Sequence, residues 1–89
     1  MSVLMRAEIK GQTRQGYEGM ISLLGERLKG APGFILHTSH PTDDGWCVIE
    51  IWESKEALDQ FFAKNVAPNL PAGIRPKLSI QELHSVLTR

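Results

Sequence analysis

The sequence has few of the features by which several protein classes are recognised. Its 89 residues contain one cysteine, Cys47, which excludes an internal disulfide framework. Ten basic and ten acidic residues cancel, and no Lys/Arg-rich run supplies the concentrated positive face that nucleic-acid binding needs. Glycine-rich phosphate loops and dinucleotide fingerprints are absent, so a nucleotide cofactor has no support.

Long apolar runs are missing as well. Residues 1–10 carry charges at Arg6, Glu8 and Lys10, and they resemble neither a signal peptide nor a membrane-spanning segment. No Asn-x-Ser/Thr acceptor occurs. We therefore expect a cytoplasmic protein that does not associate with membranes. Since 42% of the residues are hydrophobic and 22% are charged, we expect one globular domain spanning 1–89.

Strand and helix periodicities alternate along the chain in the order β-α-β-β-α-β. The predicted elements are a strand over 3–10, a helix over 17–29, strands over 34–40 and 46–53, a helix beginning after Ser54 and a strand over 77–87. Ser54 suits a helix N-cap, and Asp44-Gly45 favours a hairpin turn, here over 41–45. The alternation in the last strand slips near Glu82–Leu83, which indicates a bulge or an early end.

Two β-α-β units joined by a hairpin predict an α+β, ferredoxin-like domain with an antiparallel four-stranded sheet. Right-handed crossovers place both helices on one face of this sheet. The third strand is nevertheless apolar on both sides. One side carries Trp46, Val48 and Trp52, and the other carries Cys47, Ile49 and Ile51. In the second strand, Phe34 and Leu36 are expected on the face opposite to Ile35. Because an uncovered apolar face is best buried against a second copy, we expect a homodimer through the open sheet face.

The segment Gly45–Phe62, GWCVIEIWESKEALDQFF, carries a more specific pattern. A strand that ends in Glu-x-Trp-Glu-Ser and leads into Lys-Glu-Ala-Leu and an aromatic pair resembles the antibiotic biosynthesis monooxygenase family. Element order, length and Pro32-Gly33 before the second strand extend the resemblance over nearly the whole chain. It implies that two copies form a dimeric α/β barrel, with a pocket between helices and sheet in each subunit.

Members of this family act as cofactor-free oxygenases on polycyclic phenols, as quinol oxygenases or as haem-degrading enzymes, and others have no assigned activity. In the oxygenases an electron-rich enolate or phenolate reduces O2 directly, while the protein supplies orientation, a proton acceptor and dry surroundings. Trp52 matches the family's tryptophan at the end of strand three. The haem-degrading branch also has an asparagine on strand one and a histidine late in helix two. Neither occurs here, which argues against haem degradation.

Three residues are candidates for handling protons in such a reaction. Glu50 shares one face of a central strand with Trp52, where a carboxylate is costly unless it is paired. It could accept a proton, although a salt bridge within the sheet or to a partner would equally explain it. His37 and His84 could each act as a general base, or lie at the surface or an interface. His37 and His40 face opposite ways on a strand, so no metal site is predicted.

Aromatic and polar side chains are candidates for substrate binding. Trp52 could stack on an aromatic ring, and the alternative is a core or interface tryptophan. The apolar pocket wall would come from Trp46, Tyr17, Phe61 and Phe62, all of which could instead be ordinary packing residues. Asn65 and Arg75, with Arg6, are conceivable equivalents of the asparagine and arginine that the resemblance implies beside the tryptophan.

These observations lead to a homodimeric, monooxygenase-like protein that acts on a small aromatic, quinone-forming or polyketide-like molecule without a metal or other cofactor. Two alternatives stay open. One is a non-catalytic dimeric binding or interaction module, which the incomplete set of family polar residues favours. The other is a non-oxidative enzyme, such as a cyclase or isomerase, on the same fold.

Overall fold

Alternation in the strands and apolar stripes in the helices produce the predicted order of elements. The computed structural model describes all residues, 1–89. Its elements are β1 (Val3–Lys10), α1 (Arg14–Lys29), β2 (Phe34–Thr42), β3 (Gly45–Trp52), α2 (Lys55–Phe61) and β4 (Lys77–Glu82). After α2 the chain continues into a π-helical turn, Phe62–Val66, and a 3-10 turn, Ala67–Asn69. We call Phe62–Val66 the π segment.

The four strands form one antiparallel sheet in the order β2-β3-β1-β4, with both helices on one face. This is the ferredoxin-like arrangement that the element order predicted. β4 ends at Glu82, in agreement with the early end expected there. None of the helices is both long and apolar enough to cross a membrane.

The hairpin between β2 and β3 is tighter than the sequence indicated. β2 continues to Thr42 and β3 begins at Gly45, which leaves Asp43-Asp44 as the turn. At Gly45 a Cβ atom would collide with the carbonyl oxygen of Ile9 on the neighbouring strand. Glycine is therefore required where the hairpin passes closest to β1.

Side-chain caps fix where both helices begin. Thr13 Oγ1 accepts a hydrogen bond from Gly16 N at 3.0 Å, so α1 begins at Arg14, three residues earlier than predicted. Ser54 Oγ accepts from Ala57 N at 3.1 Å, which confirms the predicted cap of α2. Each cap follows the end of a central strand, Thr13 after β1 and Ser54 after β3, so both helices begin at the middle of the sheet.

One prediction about β2 is wrong, because the strand contains a bulge. Phe34 pairs with Trp52, but the next partner of Ile51 is Leu36, so Ile35 is the extra residue. Phe34 therefore lies on the helix-covered face and Leu36 on the other, whereas plain alternation placed them together. Beyond the bulge, His37 returns to the helix-covered face opposite Glu50.

The hydrophobic core lies between the sheet and the two helices. Its buried members are Val3, Met5, Ala7, Leu28, Trp46, Val48, Trp52, Leu58 and Phe61. Trp52 is fully buried, with Phe34 against its edge and Phe61 tilted against it, each at a centroid distance of 5.5 Å. The side of β3 that carries Trp46, Val48 and Trp52 therefore faces the helices, which the sequence alone did not decide.

Neither helix covers the opposite face of the sheet. We call it the open face. Cross-strand pairing aligns Leu4, Ile51 and Leu36 in one row there, with Ile49 in the next. Leu36 is 39% exposed, and the other three are half-buried. Towards the other end of this face the exposed side chains are polar, Arg6, Glu8 and His40, and Cys47 between them is buried.

Candidate functional site

A hydrogen-bonded polar network crosses the inner face of the sheet. Glu50 and His37 are cross-strand partners, and Glu50 is the only buried charged residue, at 8% exposure. The Glu50 Oε2 atom lies 2.6 Å from His37 Nδ1. The Trp52 Nε1–H group donates to Glu50 Oε1 at 2.9 Å, and Tyr17 Oη lies 2.7 Å from His37 Nε2. We call Tyr17, His37, Glu50 and Trp52 the polar network.

The network has a defined direction of hydrogen bonding. A carboxylate accepts at both oxygens, so His37 Nδ1 is the donor to Glu50, just as Trp52 Nε1 is. In neutral histidine the other nitrogen, Nε2, is then left to accept the Tyr17 hydroxyl proton. Lone pairs on Tyr17 Oη remain available to a further donor. The network is therefore a chain of acceptors that leads from Tyr17 inward to Glu50.

These contacts explain how a carboxylate is tolerated in the core. Burying a carboxylate is unfavourable unless hydrogen bonds replace its lost hydration. Glu50 receives one bond from the fully buried Trp52 and one from His37, whose side chain is 17% exposed. Hydrogen bonds to charged groups are the stronger ones, at about 1.5–3 kcal/mol each. The pairing of Glu50 is thus within the sheet, as one of the sequence alternatives proposed.

Helix α1 contributes Tyr17, whose ring packs against two aromatic neighbours on the sheet. Its ring stacks on Trp46 with a centroid distance of 5.4 Å and an interplanar angle of 20°. It also lies over His37 at 6.0 Å and 17°. The Arg14 guanidinium lies 6.0 Å from the centroid of the Trp46 ring, which extends the stack outward. Tyr17 is therefore positioned by aromatic contacts as well as by its hydrogen bond.

A cavity of about 90 Å³ lies between the sheet and the helices, beside the polar network. Of its 18 lining residues 14 are hydrophobic. The side chains that bring polar groups to its wall are those of Gln12, Tyr17, His37 and Glu50. Three of these four belong to the polar network. The cavity is therefore apolar except where the network reaches its wall and where Gln12 lines it. This combination is typical of a small-molecule site.

The structure brings together five of the predicted site residues around this cavity: Tyr17, His37, Glu50, Phe61 and Phe62. Trp52 is not on the wall; it lies behind Glu50 and orients it. Trp46 lies behind Tyr17 in the same way.

The remaining predicted residues are elsewhere. Asn65 belongs to the π segment, where its Nδ2 donates to the Phe61 carbonyl at 3.3 Å. Arg75 borders a separate polar hollow with Lys10 and Lys77. His84 is exposed beyond the end of β4. His40 lies on the open face and contacts the Pro41 carbonyl, on the side opposite to His37.

Sequence reasoning missed Gln12 and the connections within the network. Gln12 lines the cavity from the loop before α1, and its Oε1 accepts from Thr13 N at 3.1 Å. The polar position of Glu50 on an apolar strand was a usable signal. The partner of Glu50 could not be identified from the sequence. In a strand without the bulge, His37 would share a face with Ile35 and lie on the side opposite to Phe34.

Comparison with known proteins shows likeness in structure but not in sequence. No family model and no curated protein matches the chain. Among solved structures, the cofactor-independent oxygenase SnoaB from Streptomyces nogalater has a TM-score of 0.74 at 17% identity, over 99% of this chain and 98% of that one. The haem-degrader MhuD from Mycobacterium tuberculosis, solved with two haems in its active site, has a TM-score of 0.63 at 18% identity, over 99% and 100%.

A third structure, Rv0793 from Mycobacterium tuberculosis, has a TM-score of 0.65 at 13% identity, over 99% of this chain and 100% of that one. At these identities the likeness establishes the fold. Coverage of nearly the full length on both sides means that the whole chain, including both helices, follows the same architecture.

Proposed function

We propose that this chain, which has the fold of the antibiotic biosynthesis monooxygenase-like dimeric α/β barrels, is a cofactor-independent monooxygenase that converts a small phenol into a quinone. One observation carries the proposal. Tyr17, His37 and Glu50 form a directed series of proton acceptors at the polar end of an otherwise apolar cavity. A phenol combines an apolar ring with one acidic hydroxyl, which matches that arrangement.

In the proposed reaction the substrate hydroxyl donates to Tyr17 Oη. As the substrate loses its proton, the Tyr17 proton moves to His37 Nε2. The resulting imidazolium is stabilised by Glu50 across the 2.6 Å contact. Trp52, which donates to the second carboxylate oxygen, holds Glu50 in position without contacting the substrate. General-base assistance of this kind contributes about 10²–10⁴ in rate.

The phenolate then supplies the electrons for oxygen. Ring carbon bonds to one oxygen atom of O2, and the second oxygen atom leaves as water with two hydrogen atoms from the substrate. The sum is phenol plus O2 giving quinone plus H2O, in which the substrate loses four electrons and O2 gains four. The apolar walls exclude bulk water from the reactive phenolate while this occurs.

Aerobic turnover by metal-free, chelator-treated protein tests the proposal. We expect oxygen uptake with phenols whose position para to the hydroxyl is free. With ¹⁸O2, one labelled oxygen should appear in the quinone and the other in water. Absence of uptake across a broad panel would refute oxygenation. Ligand-induced melting shifts without turnover would instead support a binding module, and a product with the mass of its substrate would support an isomerase or cyclase.

Two histidines on the same strand offer a matched pair of variants. His37→Gln removes the proposed proton acceptor, whereas His40→Gln makes the same change on the open face. We expect oxygen uptake to fall at least a hundredfold in the first and to stay within twofold in the second. Equal activity of the two variants would remove His37 from the mechanism.

We also propose that the chain forms a homodimer through the open face. Support comes from Leu4, Leu36, Ile49 and Ile51, which form a continuous aliphatic patch on a sheet surface that no helix covers. Packing two such sheets face to face buries these side chains in both copies. Sedimentation at micromolar concentration should give twice the chain mass of 9.9 kDa. A monomer under those conditions would contradict the proposal.

A further inference from the structure

The size of the cavity limits what the proposed site can hold. Ligand pockets commonly measure about 300–1,000 Å³, and an engineered apolar cavity of about 150 Å³ binds benzene. The cavity beside the polar network measures about 90 Å³. Because this is smaller than the cavity that binds benzene, a single aromatic ring already takes up all of the space, and a fused second ring requires a wall residue to move.

The wall formed by the sheet cannot supply that room. Met5, Ala7 and Val48 are all at most 7% exposed, and each belongs to a strand paired on both sides. Moving any of them disturbs the close packing of the core. The size of the ligand must therefore be set by wall residues on the helical side of the cavity.

On the helical side the two adjacent phenylalanines differ in their contacts. Phe61 is buried, at 9% exposure, and packs on Trp52. Phe62 is half-buried, lines the cavity and makes none of the aromatic contacts that hold Phe61. Of the two phenylalanines, Phe62 is thus the one that contributes less to the core.

The π segment fixes the position of Phe62. The Ala67 N–H donates to the Phe62 carbonyl, five residues back, which is the wide turn of a π-helix. The Phe61 carbonyl, at the start of this turn, also accepts from the Asn65 side chain at 3.3 Å. Asn69 Nδ2 then donates to the Asn65 carbonyl at 2.7 Å. These side-chain bonds hold the wall in place at the point where Phe62 meets the cavity.

We propose that Phe62 is the specificity-determining residue of this site and restricts it to single-ring phenols. The inference rests on the proposed function for the identity of the ligand as a phenol, but the size limit concerns binding and does not require turnover. The hydroxyl bonds to Tyr17 at the polar end, and the ring fills the space up to Phe62. Replacing Phe62 with a small residue extends the cavity by the volume of a phenyl ring and admits a second fused ring.

Binding of phenol and of 2-naphthol, measured by calorimetry under anaerobic conditions, tests this. A larger apolar ligand normally binds more tightly, because it buries more surface. We expect the wild-type protein to reverse that order and to bind phenol at least tenfold more tightly than 2-naphthol. Phe62→Ala should tighten 2-naphthol binding at least tenfold, and Phe62→Leu should give an intermediate value.

Phe34→Ala is the matched control, because it removes the same atoms from a half-buried phenylalanine that contacts Trp52 and does not line the cavity. It should leave the ratio of the two affinities unchanged. Thermal melts of each variant establish that it is folded; if Phe62→Ala is not, Phe62→Leu decides the question. Tighter binding of 2-naphthol by the wild-type protein, an unchanged ratio in the Phe62 variants or no binding of either ligand would overturn the inference.

The binding and turnover results separate the two proposals. A size limit that Phe62 controls, without oxygen uptake, sustains this inference and refutes the monooxygenase. Oxygen uptake with two-ring phenols in the wild-type protein sustains the monooxygenase and refutes the size limit.

Discussion

The two faces of the sheet contrast in an unexpected sense. The face that the helices cover contains a carboxylate, an imidazole and an indole N–H in hydrogen-bonded contact. The face that no helix covers contains a row of aliphatic side chains, Leu4, Ile51 and Leu36. A simple division into apolar inside and polar outside would have exchanged Glu50 with one of these residues.

The difference shows that burial and polarity serve separate purposes here. A carboxylate in the core is retained where its bonds to neighbours compensate for lost water and where its position has a use, which we place in the cavity. Aliphatic residues on a bare face are retained where another surface covers them. The same type of substitution can therefore be made on each face, and its effects on stability, association and turnover show which purpose each face serves.

The largest effect is expected from truncating an apolar residue on each face. Trp52→Ala should lower the free energy of unfolding by about 3–5 kcal/mol, because it empties the centre of the core and frees Glu50 Oε1. Leu36→Ala should cost about 1 kcal/mol or less in the monomer. Urea denaturation measures both values, and similar losses would mean that the two faces are packed alike.

Two glutamates give the next comparison. Glu50→Ala leaves the Trp52 and His37 N–H groups without their acceptor, at a cost of about 2–3 kcal/mol. Glu8→Ala, on the open face, should change stability by no more than about 0.5 kcal/mol. Chemical denaturation at neutral pH checks this. A stabilised Glu50→Ala protein would indicate that the network is not fully bonded.

Charge introduced on the open face should act on association rather than on folding. Ile51→Lys places an ammonium in the aliphatic row, and we expect the dimer dissociation constant to rise at least tenfold, about 1.4 kcal/mol. Leu23→Lys, at a 51% exposed position on α1, should leave it unchanged. Sedimentation equilibrium measures both. An unaffected Ile51→Lys dimer would place the interface elsewhere.

The smallest stability effect concerns single hydroxyl groups. Tyr17→Phe removes the bond to His37 and should cost about 0.5–1.5 kcal/mol, while oxygen uptake falls at least tenfold. Thr38→Val removes a hydroxyl that bonds the Ile49 carbonyl at 3.1 Å and lies in the rows of the open face. It should have a comparable cost and no effect on turnover. If both variants lost activity, the loss in Tyr17→Phe would be explained by lower stability and not by a role in the reaction.

Much of the fold follows from local patterns in the sequence. Period-two alternation identified the faces of β3, including the placement of Glu50 with Trp52, because side chains in a paired strand must alternate. Ser54 marked the start of α2, since its hydroxyl satisfies a free N–H there. The slip at Glu82–Leu83 marked the end of β4.

The parts that were not predicted depend on irregular backbone. Nothing in Phe34–His37 distinguishes a regular strand from one with an extra residue, because both conformations suit the same apolar side chains. The family resemblance made Asn65 a candidate for substrate binding, but its side chain bonds the Phe61 carbonyl at the start of the π segment, whose wide turn has no simple sequence signature. The contact of Tyr17 with His37 joins residues 20 positions apart and needs the packed helix.

Because of the bulge at Ile35, the number of residues before His37, and not their chemical type, decides which face of the sheet the imidazole lies on. Insertion or deletion of one residue between Gly33 and His37 would reverse the parity of the strand and exchange the imidazole between the cavity and the open face, with every residue type preserved. Proteins that keep these residue types but differ in strand length by one residue would therefore lack the site. For recognising or designing other proteins with this polar network, the spacing between Gly33 and the histidine is more diagnostic than the histidine itself.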